Sequence, residues 1–339
     1  MADMGKQTAA AAGPASRLAA LDGLRGIAAG VVAFVWLRDW GWTFVDLFFL
    51  ISGYIFAHVY LGSERLDPAR IGDFAVARIA RLYPLHLLTL LVSAAMFSGL
   101  AENTVPAFLA HLVMMQAFVG SVTHTYNGPS WSITVEVVCY AVFVLGAVRG
   151  DRTLRWVTAA AIGVALLHFA VQGRPGGPWV GDSVPRGLLG FFLGQVLWRH
   201  RAFLGRVPAV LLVAILTVGL GIRPGGVGPL LAICLLAWPA ALLLALRIPA
   251  MGRGVLAWLG DRSYAVYLIH YPILTVFISR LEAQGSGWQA SAITLAYSAV
   301  VLVLSDLAYR RFEVPARRAI RAGWERRSRA DPEPGTSPA

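Results

Sequence analysis

Four ionisable side chains lie where the surrounding sequence is almost wholly apolar: Arg25, Asp46, Glu136 and His270. Ionisable groups within such runs are costly and mark chemistry by default. Glu136 follows Pro129-Ser130-Trp131-Ser132-Ile133-Thr134-Val135, about 7 Å below the expected outer boundary by helical rise. A carboxylate there must be paired, hydrogen-bonded or protonated, which makes it either a general base or a partner of Arg186. Asp46 opens Asp46-Leu47-Phe48-Phe49-Leu50-Ile51-Ser52-Gly53-Tyr54. It could cap its helix through a side-chain oxygen, orient a catalytic group or bind a sugar hydroxyl. His270, in Tyr267-Leu268-Ile269-His270-Tyr271-Pro272, could act as a base or simply satisfy the backbone carbonyl that Pro272 frees one turn back.

Arginines supply the complementary charge. Arg78 and Arg81 stand at i and i+3 and share a helical face, with Arg65 and Arg70 just before them. Paired guanidinium forks suit phosphate oxygens; the alternative is topological charge or lipid-headgroup contact. His86, further along the same run, reads as a buried structural histidine. Arg25, in Leu21-Asp22-Gly23-Leu24-Arg25-Gly26, could snorkel at a membrane boundary. It also shares a helical stripe with Trp36: eleven residues on is within about 20° of the same face and about 16 Å further along.

These residues need elements that hold them in a membrane. The chain of 339 residues is 57% hydrophobic and only 14% charged, with mean hydropathy +0.65. Too few charges are present to cover a soluble surface, so the expected fold is an all-α, polytopic membrane helix bundle. Apolar runs long enough to cross hydrocarbon fall at about 22–38, 42–62, 74–100, 131–148, 155–171, 184–198, 207–221, 228–246, 263–279 and 288–310, ten in all. The short apolar stretch Thr104 to Val119 is expected to be interfacial or re-entrant.

With both termini cytoplasmic, 24 of the 29 Lys and Arg residues fall on the inside, as the positive-inside rule requires. That placement accounts for the net charge of +11 without nucleic acid as a partner. Cys139 and Cys234 both sit in apolar runs and offer neither a disulfide framework nor zinc-ligand spacing, so no metal site is expected. Residues 1–20 read as a disordered cytoplasmic tail, 21–318 as one transmembrane domain, and 319–339 as a basic, then disordered, tail. No inverted repeat of the transporter kind is visible.

Taken together, these segments resemble integral-membrane acyltransferase family 3, the bacterial sugar and macrolide O-acyltransferases. The matching pieces are Leu21 to Ala29, Val45 to Gly53, Phe74 to Pro84 with its Arg-x-x-Arg, and Ser130 to Glu136. Arg186 to Gly194, Ser263 to Pro272 and Arg311-Phe312-Glu313-Val314-Pro315 complete the set. The resemblance implies ten core helices in the inner membrane and transfer of an acyl group, often acetyl, from cytoplasmic acyl-CoA. The acceptor would be a hydroxyl of a carbohydrate or related small molecule; membrane lipid surrounds the protein and no cofactor is held permanently. On this reading Arg78 and Arg81 hold CoA phosphates, Arg25 neutralises charge along the donor channel, and Glu136 and Asp46 border the acceptor.

The family pattern Arg-x10-His places its histidine base where this chain has Trp36, and the first histidine in the sequence is His58. Indole N–H only donates. Three readings stay open: another base among Glu136, Asp46 and His270; an inactive homologue that binds acyl-CoA or glycan; or a histidine replaced at this position. A transporter is a further alternative.

Overall fold

The computed structural model describes residues 14–34, 41–62, 67–172, 180–222, 228–284 and 287–330, and these are helical with no strand among them. The helices are α1 Pro14–Phe34, α2 Phe44–Gly62, α3 Ile71–Phe97, α4 Val105–Leu112 and α5 Trp131–Ala147. There follow α6 Asp151–Gln172, α7 Val180–Arg199, α8 Arg201–Leu204, α9 Ala209–Gly221 and α10 Gly228–Ala232. The chain continues with α11 Trp238–Ala245, α12 Gly254–Asp261, α13 Ser263–Gln284, α14 Trp288–Ala308 and α15 Val314–Ala330. The fold is an all-α polytopic membrane bundle.

Among the described residues, each of the ten expected spans falls on a helical stretch. Among the described residues, five are long and apolar enough to cross a membrane: Gly41–Leu61, Ile71–Phe97, Gly128–Ala147, Asp151–Gln172 and Trp288–Ser328. Ala209–Gly221, Leu230–Ala245 and Ser263–Phe277 are shorter apolar helices. The other two expected spans fall on α1, whose described part ends at Phe34, and on α7, which carries Asp182, Arg186 and Arg199.

Two prolines set local departures from α-geometry. Proline lacks an N–H, so the helix before it must re-route a carbonyl. At Ile233–Ala237 the chain forms a π-turn closed by Trp238 N–H on Ile233 O, one residue before Pro239. At Tyr309–Glu313 the same device recurs, with Val314 N–H on Tyr309 O just ahead of Pro315. The second π-turn joins α14 to α15 within the closing Arg-Phe-Glu-Val-Pro segment.

The described chain forms two compact units, residues 1–65 with 135–267, and residues 66–134 with 268–339. In the first, small residues let backbones meet. A Cβ on Gly53 of α2 would lie 1.7 Å from Phe191 O, and one on Gly194 of α7 would lie 2.2 Å from Leu50 O. Gly190 and Gly194 form a Gly-x-x-x-Gly face of the kind that packs membrane helices. α1 makes a similar approach: a Cβ on Gly26 would meet Gly260 N of α12 at 2.7 Å, and one on Gly252 would meet Ala19 at 2.7 Å. α1 begins at Pro14, inside the stretch expected to be a disordered tail. Pro14 suits a first helical position, and Ala20 and Leu21 are fully buried.

In the second unit, α15 packs on α3. Trp324 Nε1 donates to Asp73 Oδ1 at 2.7 Å, and a Cβ on Gly72 would touch the Trp324 ring at 2.8 Å. The expected interfacial stretch is α4 followed by a 3-10 turn at Gln116–Phe118. It folds around His111, whose Nε2 meets Thr125 Oγ1 at 3.0 Å and Val122 O at 3.2 Å, while Ser130 Oγ meets its Nδ1 at 3.2 Å.

Candidate active site

The first unit gathers three of the singled-out residues. Close packing of α1 on α12 fixes Asp22 to Gly26, so the Arg25 side chain reaches α2. Its Nη2 donates to Ser52 Oγ at 3.2 Å, and Ser52 Oγ donates to Glu136 Oε1 at 3.4 Å. Tyr140, one turn beyond Glu136 on α5, donates its hydroxyl to the same Oε1. The Tyr140 ring is stacked on Phe56 of α2, with centroids 4.5 Å apart and planes 13° apart, which holds the phenol in line. Ser52 and Tyr140 are buried, whereas Glu136 is half-buried. Arg25 is also mostly shielded, with 16% of its side chain exposed, and Asp22 lies 3.9 Å from its Nη1. The Glu136 carboxylate is therefore oriented by two hydroxyls, one of them backed by a guanidinium, and is left half-buried. A carboxylate held in this way can accept a proton from an incoming hydroxyl.

Asp46 has a different setting. Arg186 Nε donates to its Oδ1 at 3.0 Å and Nη2 to its Oδ2 at 2.8 Å. Both side chains are 1% exposed. The guanidinium also stacks over Trp42 at 4.5 Å and reaches Trp42 O at 3.4 Å. Two parallel bonds to one carboxylate are the strongest geometry available to arginine. Of the two roles open to Glu136 in the sequence, partner of Arg186 or base, the first is taken by Asp46.

Arg78, Arg81 and His270 belong to the second unit. Arg78 and Arg81 are half-buried on α3, and the Arg78 guanidinium sits 5.8 Å from the Phe74 ring centroid. His86 Nε2 meets His111 O at 2.8 Å, in keeping with a buried structural histidine. His270 is buried on α13, and its carbonyl accepts from Tyr297 OH at 3.5 Å. The carbonyl four residues before Pro272 belongs to Leu268, and Asn127 Nδ2 supplies its donor at 2.9 Å. That task, one of the two weighed for His270, falls to Asn127.

Trp36 lies outside the described residues. Cys139 and Cys234 are buried free thiols, and no cluster of metal-ligating side chains occurs among the described residues. Sequence reasoning missed Ser52, Tyr140 and Asn127. The Tyr140 signal was present, because i and i+4 share a helical face; Ser52 and Asn127 act across more than 80 residues and left no local trace.

Comparison with known proteins adds an independent line. A family model described as an acyltransferase domain, acyltransferase family 3, matches residues 18–310. The chain is 30% identical over 338 residues to "Acyltransferase MdmB" of Streptomyces mycarofaciens, covering 87% of this chain and 85% of that protein. It is 30% identical over 191 residues to "Protein 2 in picA locus" of Rhizobium radiobacter, covering 47% of this chain and 97% of that one. It is 24% identical over 362 residues to "Peptidoglycan O-acetyltransferase OatA" of Listeria monocytogenes, with 88% of this chain but 55% of OatA covered. No solved structure matches.

Proposed function

The chain belongs to acyltransferase family 3, and from that premise we propose that it moves an acyl group, acetyl in the simplest case, from cytoplasmic acyl-CoA to a hydroxyl of a carbohydrate or related small molecule at the inner membrane. The observation that carries this reading is the half-buried Glu136 carboxylate, held by Ser52 and Tyr140 with Arg25 behind Ser52. An alcohol is a poor nucleophile until a base takes its proton. Glu136 takes that proton as the alcohol oxygen attacks the thioester carbonyl. The carbon–sulfur bond breaks, the new ester bond forms, and the proton passes on to the departing CoA thiolate. Arg25 contributes positive charge where the carbonyl oxygen becomes negative.

Arg78 and Arg81 supply guanidinium forks for the CoA phosphates. Asp46, with both oxygens on Arg186, positions α2 against α7. Trp36 stands where the family resemblance places a histidine, and a carboxylate on α5 fills the chemical gap that indole leaves.

The test is thiol release from acetyl-CoA by the purified protein in proteoliposomes, with and without a panel of polyhydroxyl acceptors. Acceptor-dependent release that disappears in Glu136→Gln supports the reading. Acetyl-CoA binding without acceptor-dependent release under any condition would replace it with an acyl-CoA-binding relative lacking turnover.

A further inference from the structure

The second unit contains a cavity of about 330 Å³ with almost wholly apolar walls, at the lower end of the range for small-ligand sites. α3 contributes Leu88 and Val92, α13 contributes Ile273, and α14 contributes Leu307. Arg311 and Phe312, from the π-turn before Pro315, complete it. Val92, Leu307 and Phe312 are exposed, at 44%, 51% and 36%, so the groove opens at the surface of this unit. Arg311 is exposed too, and among the described residues no ion pair or hydrogen bond engages its guanidinium.

An unpartnered cation at the end of an apolar groove is complementary to one chemistry: an acyl chain ending in an anionic headgroup. We propose that this groove is a binding site for an anionic phospholipid, whose chain lies along α3, α13 and α14 and whose phosphate meets Arg311. The π-turn is central to that reading. A π-turn shifts the helical register within the element that carries it, and here Arg311 and Phe312 line the groove while Glu313, two residues after Arg311, is buried. The closing Arg-Phe-Glu-Val-Pro segment then has a role of its own, apart from the acyl-transfer residues of the first unit. Basic residues continue along α15 with Arg317, Arg318, Arg321, Arg326 and Arg327. A polybasic segment following a membrane helix attracts anionic lipid without selecting a groove, so the test must separate the two.

The full chain, purified in detergent, is titrated with phosphatidylglycerol or phosphatidylcholine of identical acyl composition, and retained lipid is counted by native mass spectrometry. The expected result is at least fivefold preferential retention of phosphatidylglycerol. Arg311→Gln should reduce that preference to parity, Leu307→Trp should lower retention of both lipids by filling the groove, and the α15 variant Arg326→Gln/Arg327→Gln should keep the preference. Soluble glycerol phosphate should not compete. Equal retention of the two lipids, a preference that survives Arg311→Gln, or one lost in the α15 variant would each overturn the proposal. So would a lipid-independent dimer broken by Leu307→Trp, which would assign the groove to a second copy of the chain.

Discussion

Arg186 and Asp46 form a two-pronged ion pair, at 3.0 and 2.8 Å, between α7 and α2, with both side chains almost fully shielded from the surroundings. Removing one partner leaves the other charge buried and unpaired, which costs about 3–5 kcal/mol, whereas an apolar pair of similar volume can be neutral. Asp46→Asn and Arg186→Met should each lower the melting temperature in detergent sharply or prevent accumulation. The double variant Asp46→Leu/Arg186→Leu should regain much of the stability. If it also regains acyl transfer, the pair positions helices; a folded double variant without turnover would return Asp46 to the acceptor site.

Asn127 and Pro272 are coupled through a single carbonyl. Proline removes the N–H that would close the bond to Leu268 O, and Asn127 Nδ2 replaces it at 2.9 Å. Leaving a buried carbonyl without a donor costs about 1–3 kcal/mol. Asn127→Ala should therefore destabilise the protein by that amount. In a Pro272→Ala background, where the helix closes its own bond, the same substitution should cost distinctly less. Thermal melts of the four proteins measure the coupling, and additive effects would show that the two residues act independently.

Much of this arrangement was legible in the sequence, and the reasons it stopped short are physical. Apolar length reports helices well because every backbone group in hydrocarbon must bond within its own segment. Ionisable residues inside those runs, Arg25, Asp46 and Glu136, stood out by their desolvation cost. What the sequence could not tell was which charge meets which: Arg186 is 140 residues from Asp46 and nearer in sequence to Glu136. α15 was hidden for a different cause. Its arginines dominate the composition and suggest a tail, yet Trp324 pins the helix to Asp73 of α3.

His111 makes stability depend on pH in a defined direction. It is fully buried between α4 and the turns that follow. Burial first, and the charge of nearby His86 second, push its pKa from 6.5 down to about 4. The folded protein holds the ring neutral while the unfolded chain protonates it below pH 6.5. This contribution is therefore complete above pH 6.5 and is lost progressively as pH falls towards 4, by about 2 kcal/mol between pH 6.5 and 5. Melting curves at pH 7.5 and 5 should show the loss, and His111→Gln should flatten it. An unchanged pH slope in that variant would assign the effect to other groups.

Glu136 and Trp36 offer the sharpest test of the acyl-transfer chemistry. A general base contributes about 10²–10⁴ in rate, so Glu136→Gln should lower kcat by that factor with little change in acyl-CoA affinity. Tyr140→Phe and Ser52→Ala remove one donor each from the same oxygen and should cost less, because the carboxylate remains. Trp36→His supplies an imidazole, which can accept a proton as indole cannot, at the position where the family resemblance puts its base. That variant should raise kcat/KM by at least tenfold. The informative protein is the double variant Trp36→His/Glu136→Gln. If Glu136 accepts the proton, the new histidine takes over that task, and turnover should rise well above that of Glu136→Gln, with a rate that climbs as pH passes through the histidine range. If instead Glu136 mainly holds Ser52 and Arg25 in place, the double variant stays as slow as Glu136→Gln and shows no such pH limb.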